Sequence, residues 1–278
     1  AVHALANLCD SHLHNMQVVA EEPHCLEALV AVALHDTHDG QRHAVRCLAN
    51  LSELHRNRAP IVATPGSVDA LLKGLRETDD GIRTTAAFAL AKLTEREPGN
   101  AEAIAHHPGS LVDLAGCIAK GSKRARGNAA VCVCHLTEGR HEVAAMVVAT
   151  EGAVRALADA ATAPVEYPPI EDPIPAYHDV TSQAVADMEK AEWLVKMRDQ
   201  GRQTEDVEAA EDARRSCAFA IASLGACKGP SLREIQRICR VRGVLTALTW
   251  VLKNQAADPD RLVDMNESAI ADDDEEEG

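Results

Sequence analysis

The chain has 278 residues, of which 46% are hydrophobic and only 2% aromatic, and it carries a formal net charge of −15. That apolar content excludes a disordered chain. A core built almost without aromatic residues suits closely packed helices better than a β-sandwich, and the acidic balance argues against broad binding to nucleic acid or anionic membrane.

Taken in chain order, one phrase recurs. It reads AVHALANL up to Leu8, AVRCLANL up to Leu51, TAAFALAKL up to Leu93 and NAAVCVCHL up to Leu136, at separations of 43, 42 and 43 residues. A fifth copy, SCAFAIASL, ends at Leu224, which is 88 residues on and leaves room for one period plus an insertion. A second landmark keeps step: Gly66, Gly109 and Gly152 lie 43 apart, each opening an apolar helix. Gly243 repeats the role later, and His24 holds that place in the first full unit. Pro23, Pro65 and Pro108 precede three of these positions, where proline stops the preceding helix and glycine relaxes the sharp turn.

Each unit therefore reads as three helices. In the second they are expected over about 57–64, 66–77 and 79–96, with Asp79 and Asp80 at the start of the third. Ile82, Ala86, Ala89, Leu90 and Leu93 follow the spacing of one helix face. No such unit buries its apolar face alone, so neighbours must stack.

A three-helix period of 42–43 with a glycine start to the second helix and an A-x-x-A-L-x-N-L third helix resembles the armadillo repeat. HEAT repeats have two helices and lack the glycine. The resemblance implies an all-α, right-handed α-solenoid of about five units, the first and last incomplete. Residues 1–163 would form armadillo repeats, 164–203 a proline-rich and helical insertion in the fourth unit, 204–254 its completion and a partial fifth, and 255–278 an acidic, disordered tail. The copy at residue 1 is a third helix without its first two, so the chain is expected to start in mid-solenoid. Five of the twelve prolines fall in 164–175, and Tyr167, Tyr177 and Trp193 are expected to pin the insertion to the solenoid or to touch a partner. Thr204 is the expected N-cap of the helix that follows.

The resemblance also implies a concave face, lined by third helices, that holds extended peptides. In importin-α-like members an Asn there bonds the peptide backbone and a Trp one turn earlier packs its side chains. Here the Asn positions read Asn7, Asn50, Lys92, His135 and Ser223, and the Trp positions read His3, Arg46, Phe88, Val131 and Phe219. With no Trp, and with Arg46 and Lys92 adding positive charge, the reading of nuclear signals does not carry over. The expected lining is His43, Arg46 and Asn50; Thr85, Phe88 and Lys92; Asn128, Val131 and His135; Ser216, Phe219 and Ser223.

The segment KGSKRAR holds Lys120, Lys123, Arg124 and Arg126 in what reads as a loop before a third helix, a candidate contact for an acidic partner. No Walker loop, HExxH, GxSxG or GxGxxG occurs, so neither an enzyme nor a cofactor is expected. Cys132 and Cys134 lie about 200° apart on a helix, too far round to share an ion, and no metal site is expected. The nine cysteines mostly take apolar helical positions and read as reduced thiols acting as small hydrophobes. The expected setting is the cytoplasm, with nucleus or axoneme as alternatives; no apolar run is long enough to insert in a membrane. The function expected from the sequence is a non-enzymatic scaffold that binds a protein segment along the groove. A structural subunit of a large assembly, such as a ciliary axoneme, and the substrate-reading region of a U-box-type ubiquitin ligase are the alternatives.

Overall fold

The computed structural model describes residues 1–165, 205–224, 238–247 and 249. After α1 (Val2–Leu8) the helices come in threes: α2 (Leu13–Glu21), α3 (Cys25–His35), α4 (His38–Glu53); α5 (His55–Ala63), α6 (Ser67–Arg76), α7 (Asp80–Thr94); α8 (Pro98–His106), α9 (Ser110–Lys120), α10 (Lys123–Thr137). A fourth set has α11 (His141–Ala149) and α12 (Ala153–Ala161), and residues 205–224 form its third helix, α13. Tyr167, Tyr177 and Trp193, Thr204 and the acidic tail lie outside the described residues.

The turn into each second helix explains the glycine landmark. Thr64-Pro65-Gly66-Ser67 closes with the Ser67 N–H on the Thr64 carbonyl at 3.1 Å, and Gly66 sits at φ 80, ψ −2. Those are the dihedrals of the third residue of a type II turn, where proline favours the second place and glycine the third. The same closure recurs at Cys25, Ser110, Ala153 and Val244, with positive φ at His24, Gly109, Gly152 and Gly243. His24 accepts the left-handed conformation without glycine's freedom.

Two further sequence columns fix the third helices. Thr37, Asp79 and Ser122 are their N-caps, each side chain accepting a backbone N–H from the first turn. Asn15, Asn57 and Asn100 each stand third in a first helix and donate to carbonyls of the preceding third helix. Asn15 reaches Leu8 O (2.7 Å), Asn57 reaches Leu51 O (3.1 Å) and Asn100 reaches Leu93 O (2.9 Å). They satisfy carbonyls that the helix ends would otherwise leave orphaned. Because Gly66 and Asp79 are caps, α6 and α7 begin one residue later than the sequence pattern places them, and α7 ends at Thr94.

Third helices stack on third helices (α1 on α4, α4 on α7, α7 on α10), and second helices stack likewise from α3 to α12. The shared core is made of small residues. Ala44, Ala86, Ala87, Ala129, Ala130 and Ala218 are wholly buried, beside Leu51, Leu93 and Leu136. At α10 the approach to α13 is so close that a Cβ on Gly127 would stand 3.3 Å from the Ala213 backbone. Cys117, Cys132 and Cys217 are part of this core, and burial pushes their thiols up to about 12, so they pack as uncharged groups.

Gly152→Ala should lower stability in urea unfolding by about 1 kcal/mol from backbone strain alone, since nothing lies within 4 Å of the new methyl. Gly66→Ala should cost more, because Leu34 and Val30 stand at 3.3 Å. Asp79→Ala should cost about 1 kcal/mol at neutral pH. The hydrogen bond from the Ile82 N–H, outweighing desolvation, holds the Asp79 carboxyl below its usual value. Its contribution is therefore complete above the ordinary carboxylate range and fades as pH falls through the depressed value. The two proteins should converge in acid.

Candidate protein-interaction groove

The third helices enclose a cleft of about 760 Å³. Its floor is apolar: Ala49 from α4, Phe88 from α7, Gly127 and Val131 from α10, Ala209 and Ala213 from α13. Arg46, Asn50, Thr85, Asn128 and Ser216 join Phe88 and Val131 from the expected lining. Thr84 lines it too, next to Thr85.

The other five expected residues lie outside the lining of the cleft. Lys92 reaches Glu95 at 3.1 Å, with its ammonium 6.0 Å from the Phe88 ring centre. His135 meets the Ala91 carbonyl (3.1 Å) and the Thr94 hydroxyl (3.3 Å), and burial lowers its pKa. Ser223 pairs with Thr137 at 2.9 Å, Phe219 packs against the core, and His43 lies against His3 with ring nitrogens 3.0 Å apart. The reason is geometric. A superhelix rotates each unit against the last, so a straight path crosses successive third helices at different heights. The cleft meets α4 at Arg46–Asn50, α7 at Thr84–Phe88, and α10 and α13 nearer their N-terminal ends. Reading the repeats as parallel columns misses that drift.

The polar residues of these columns have a second task. Asn50 donates to Ala6 O (3.0 Å) and Asn128 to Thr84 O (3.4 Å), and His135 contacts Ala91 O. Every one of these rungs spans 44 residues, from one third helix to its predecessor. Arg46 adds a contact to the Asn7 side chain. Asn50 thus has one amide N–H engaged in stacking, and no other described residue is bonded to its side chain.

The basic segment is not a loop. Ser122 caps α10, and Lys123, Arg124 and Arg126 lie in and just after its first turn. Cations there oppose the helix dipole, but α13 supplies acids opposite: Arg124 pairs with Glu205 at 3.3 Å. Lys123 and Arg124 line the cleft, facing Glu205, Glu208 and Asp212. Arg126 turns to Gly121 O (3.4 Å), and Lys120 is exposed at the end of α9, outside the lining. The α13 acids were among the lining residues missed from sequence. Their signal was present in TEDVEAAEDARR, where Glu205, Glu208 and Asp212 recur at helical spacing.

Among the described residues no three His, Cys, Asp or Glu side chains are grouped to hold a metal, and no helix is long and apolar enough to cross a membrane. Cys132 meets the Thr94 hydroxyl while Cys134 faces the Ser216 carbonyl, on opposite neighbours.

This architecture is an armadillo-type α-solenoid. It is similar to a computationally designed armadillo repeat protein for modular peptide recognition, with TM-score 0.64 and 15% identity over 89% of this chain and 82% of that one. A designed armadillo repeat protein in complex with the peptide (KR)4 matches with TM-score 0.63 and 15% identity, over 93% of this chain and 90% of that one. An engineered protein of known structure matches with TM-score 0.63 and 18% identity, over 90% and 82%. No protein-family model and no curated protein matches the sequence.

If the rungs hold the stack, Asn50→Ala should cost about 0.5–1.5 kcal/mol in urea unfolding without loss of helicity. Asn50→Asp should cost more at neutral pH, because a carboxylate would face the Ala6 carbonyl with no donor. Equal stability of all three proteins would show that the rung at Ala6 is idle.

Proposed function

We propose that the protein is a non-enzymatic interaction scaffold that holds an extended segment of a protein partner in the cleft between α4, α7, α10 and α13. The observation that carries this reading is the cleft itself: an apolar floor of Phe88, Val131 and Ala213, edged by hydrogen-bonding and charged groups. That combination suits a peptide, whose side chains take the floor while its backbone uses groups such as the free capacity of Asn50 and Asn128. The designed relatives in fold that recognise peptides support the choice of occupant. A reducing compartment, with the cytoplasm first, is part of the proposal and rests on the uncharged, buried thiols.

Selection of random dodecapeptides on the 278-residue chain should enrich binders. Their affinity should fall by about ten-fold or more in the Phe88→Ala, Val131→Ser double variant, with circular dichroism confirming an intact fold. Val112→Ser, on the exposed side of α9 and outside the cleft, should leave binding unchanged. Failure to enrich any peptide, or equal loss in both variants, would overturn the proposal.

A further inference from the structure

The cleft is electrically polarised. Its α4 and α10 side carries Arg46, Lys123 and Arg124 and no acid. Its α13 side carries three acids, Glu205, Glu208 and Asp212, and one base, Arg215. Four of these charges form two pairs: Arg124 with Glu205 at 3.3 Å, and Asp212 with Arg215 at 3.2 Å. Lys123 and Glu208 face the cleft, both exposed, with no ion pair to any described residue. The side chain of Arg46 contacts a neutral group, the Asn7 amide, rather than a carboxylate.

From this we infer that the cleft selects a peptide segment of split charge, with acidic side chains over Arg46 and Lys123, apolar ones over Phe88 and Val131, and basic ones over Glu208. The inference rests on the scaffold reading above and specifies the chemistry of its partner. An all-basic segment would set like charge against Arg46 and Lys123, and an all-acidic one would set like charge against Glu208 and Asp212. Like-charge juxtaposition is how an interface rejects a wrong partner, and complementary charge fixes the register of the right one. Lys123 and Glu208, which make no ion pair to any described residue, are of opposite sign and belong to different helices, α10 and α13. A ligand can therefore satisfy both without breaking an existing pair.

Exposed charges more than about 10 Å apart are largely screened at 0.1 M salt, so each charge of the cleft acts on what lies directly over it. Recognition is then local, and the acidic and basic blocks of the ligand must be separated by a short apolar stretch rather than by a long linker.

Fluorescence anisotropy with labelled dodecapeptides tests this on the full chain at low salt. The probes are four glutamates, four apolar residues and four lysines, in both block orders; the same apolar centre flanked by glutamates on both sides; and that centre flanked by lysines on both sides. The better of the two split-charge peptides should bind about ten-fold more tightly than either single-sign peptide. Lys123→Glu and Glu208→Lys should each weaken it several-fold, and Lys123→Glu should improve the all-lysine peptide. Both positions are exposed, so circular dichroism should be unchanged. Single-sign peptides binding as well as the split ones, or binding indifferent to both reversals, would overturn the charge inference. In that case Phe88-dependent peptides from the random selection would leave the groove reading standing. No binding by any peptide, random or designed, would remove both.

Discussion

The packing of each third helix against the next is the contact from which the rest of the molecule follows. Ala44, Ala86, Ala87, Ala129 and Ala130 are wholly buried and let successive backbones approach within the roughly 8–10 Å at which helices pack most closely. At that distance a short side chain on one helix can reach a carbonyl on the previous one, and Asn50, Asn128 and His135 do so at a constant interval. Larger residues at the alanine positions would separate the helices and leave those groups unpaired. The N-cap column serves this contact, since it starts α4, α7 and α10 at the same place in each unit.

The same stacking shapes the cleft. Rotation between units means that no single register can line it. Its floor takes α4 near the middle and α13 near the start of the described helix. Gly127 admits the Ala213 backbone, which brings the acids of α13 beside the cations at the start of α10. An unfavourable feature of α10, positive charge at its N-terminus, is thereby answered by the following repeat rather than by its own.

The period and the glycine landmark were legible because each reports a local necessity. A left-handed turn position needs glycine or a strained substitute, and a buried leucine facing the stack has no alternative. The drift of the cleft was not legible, because it depends on the angle between units, which no single unit encodes. Lys92, His135 and Ser223, expected along the groove, lie outside the lining of this cleft and contact Glu95, Ala91 and Thr137. The helical placement of Lys123 and Arg124 could have been read: Thr37, Asp79 and Ser122 recur at 42 and 43 residues, and a serine in that column is a cap rather than part of a loop. The asparagines at 15, 57 and 100 were equally visible and equally periodic, but a residue bonded within the scaffold looks, in sequence, like one awaiting a ligand.

The rungs between third helices give the solenoid a mechanical character. The side chain that faces the cleft at Asn50 also ties its helix to the one before, so recognition and pitch are set by one amide. A ligand using the rest of that amide leaves the rung in place, whereas a change of residue there retunes both the message read and the stiffness of the reader. Diversification of such a surface would be expected to proceed by paired changes across neighbouring units, the second restoring the pitch that the first disturbed.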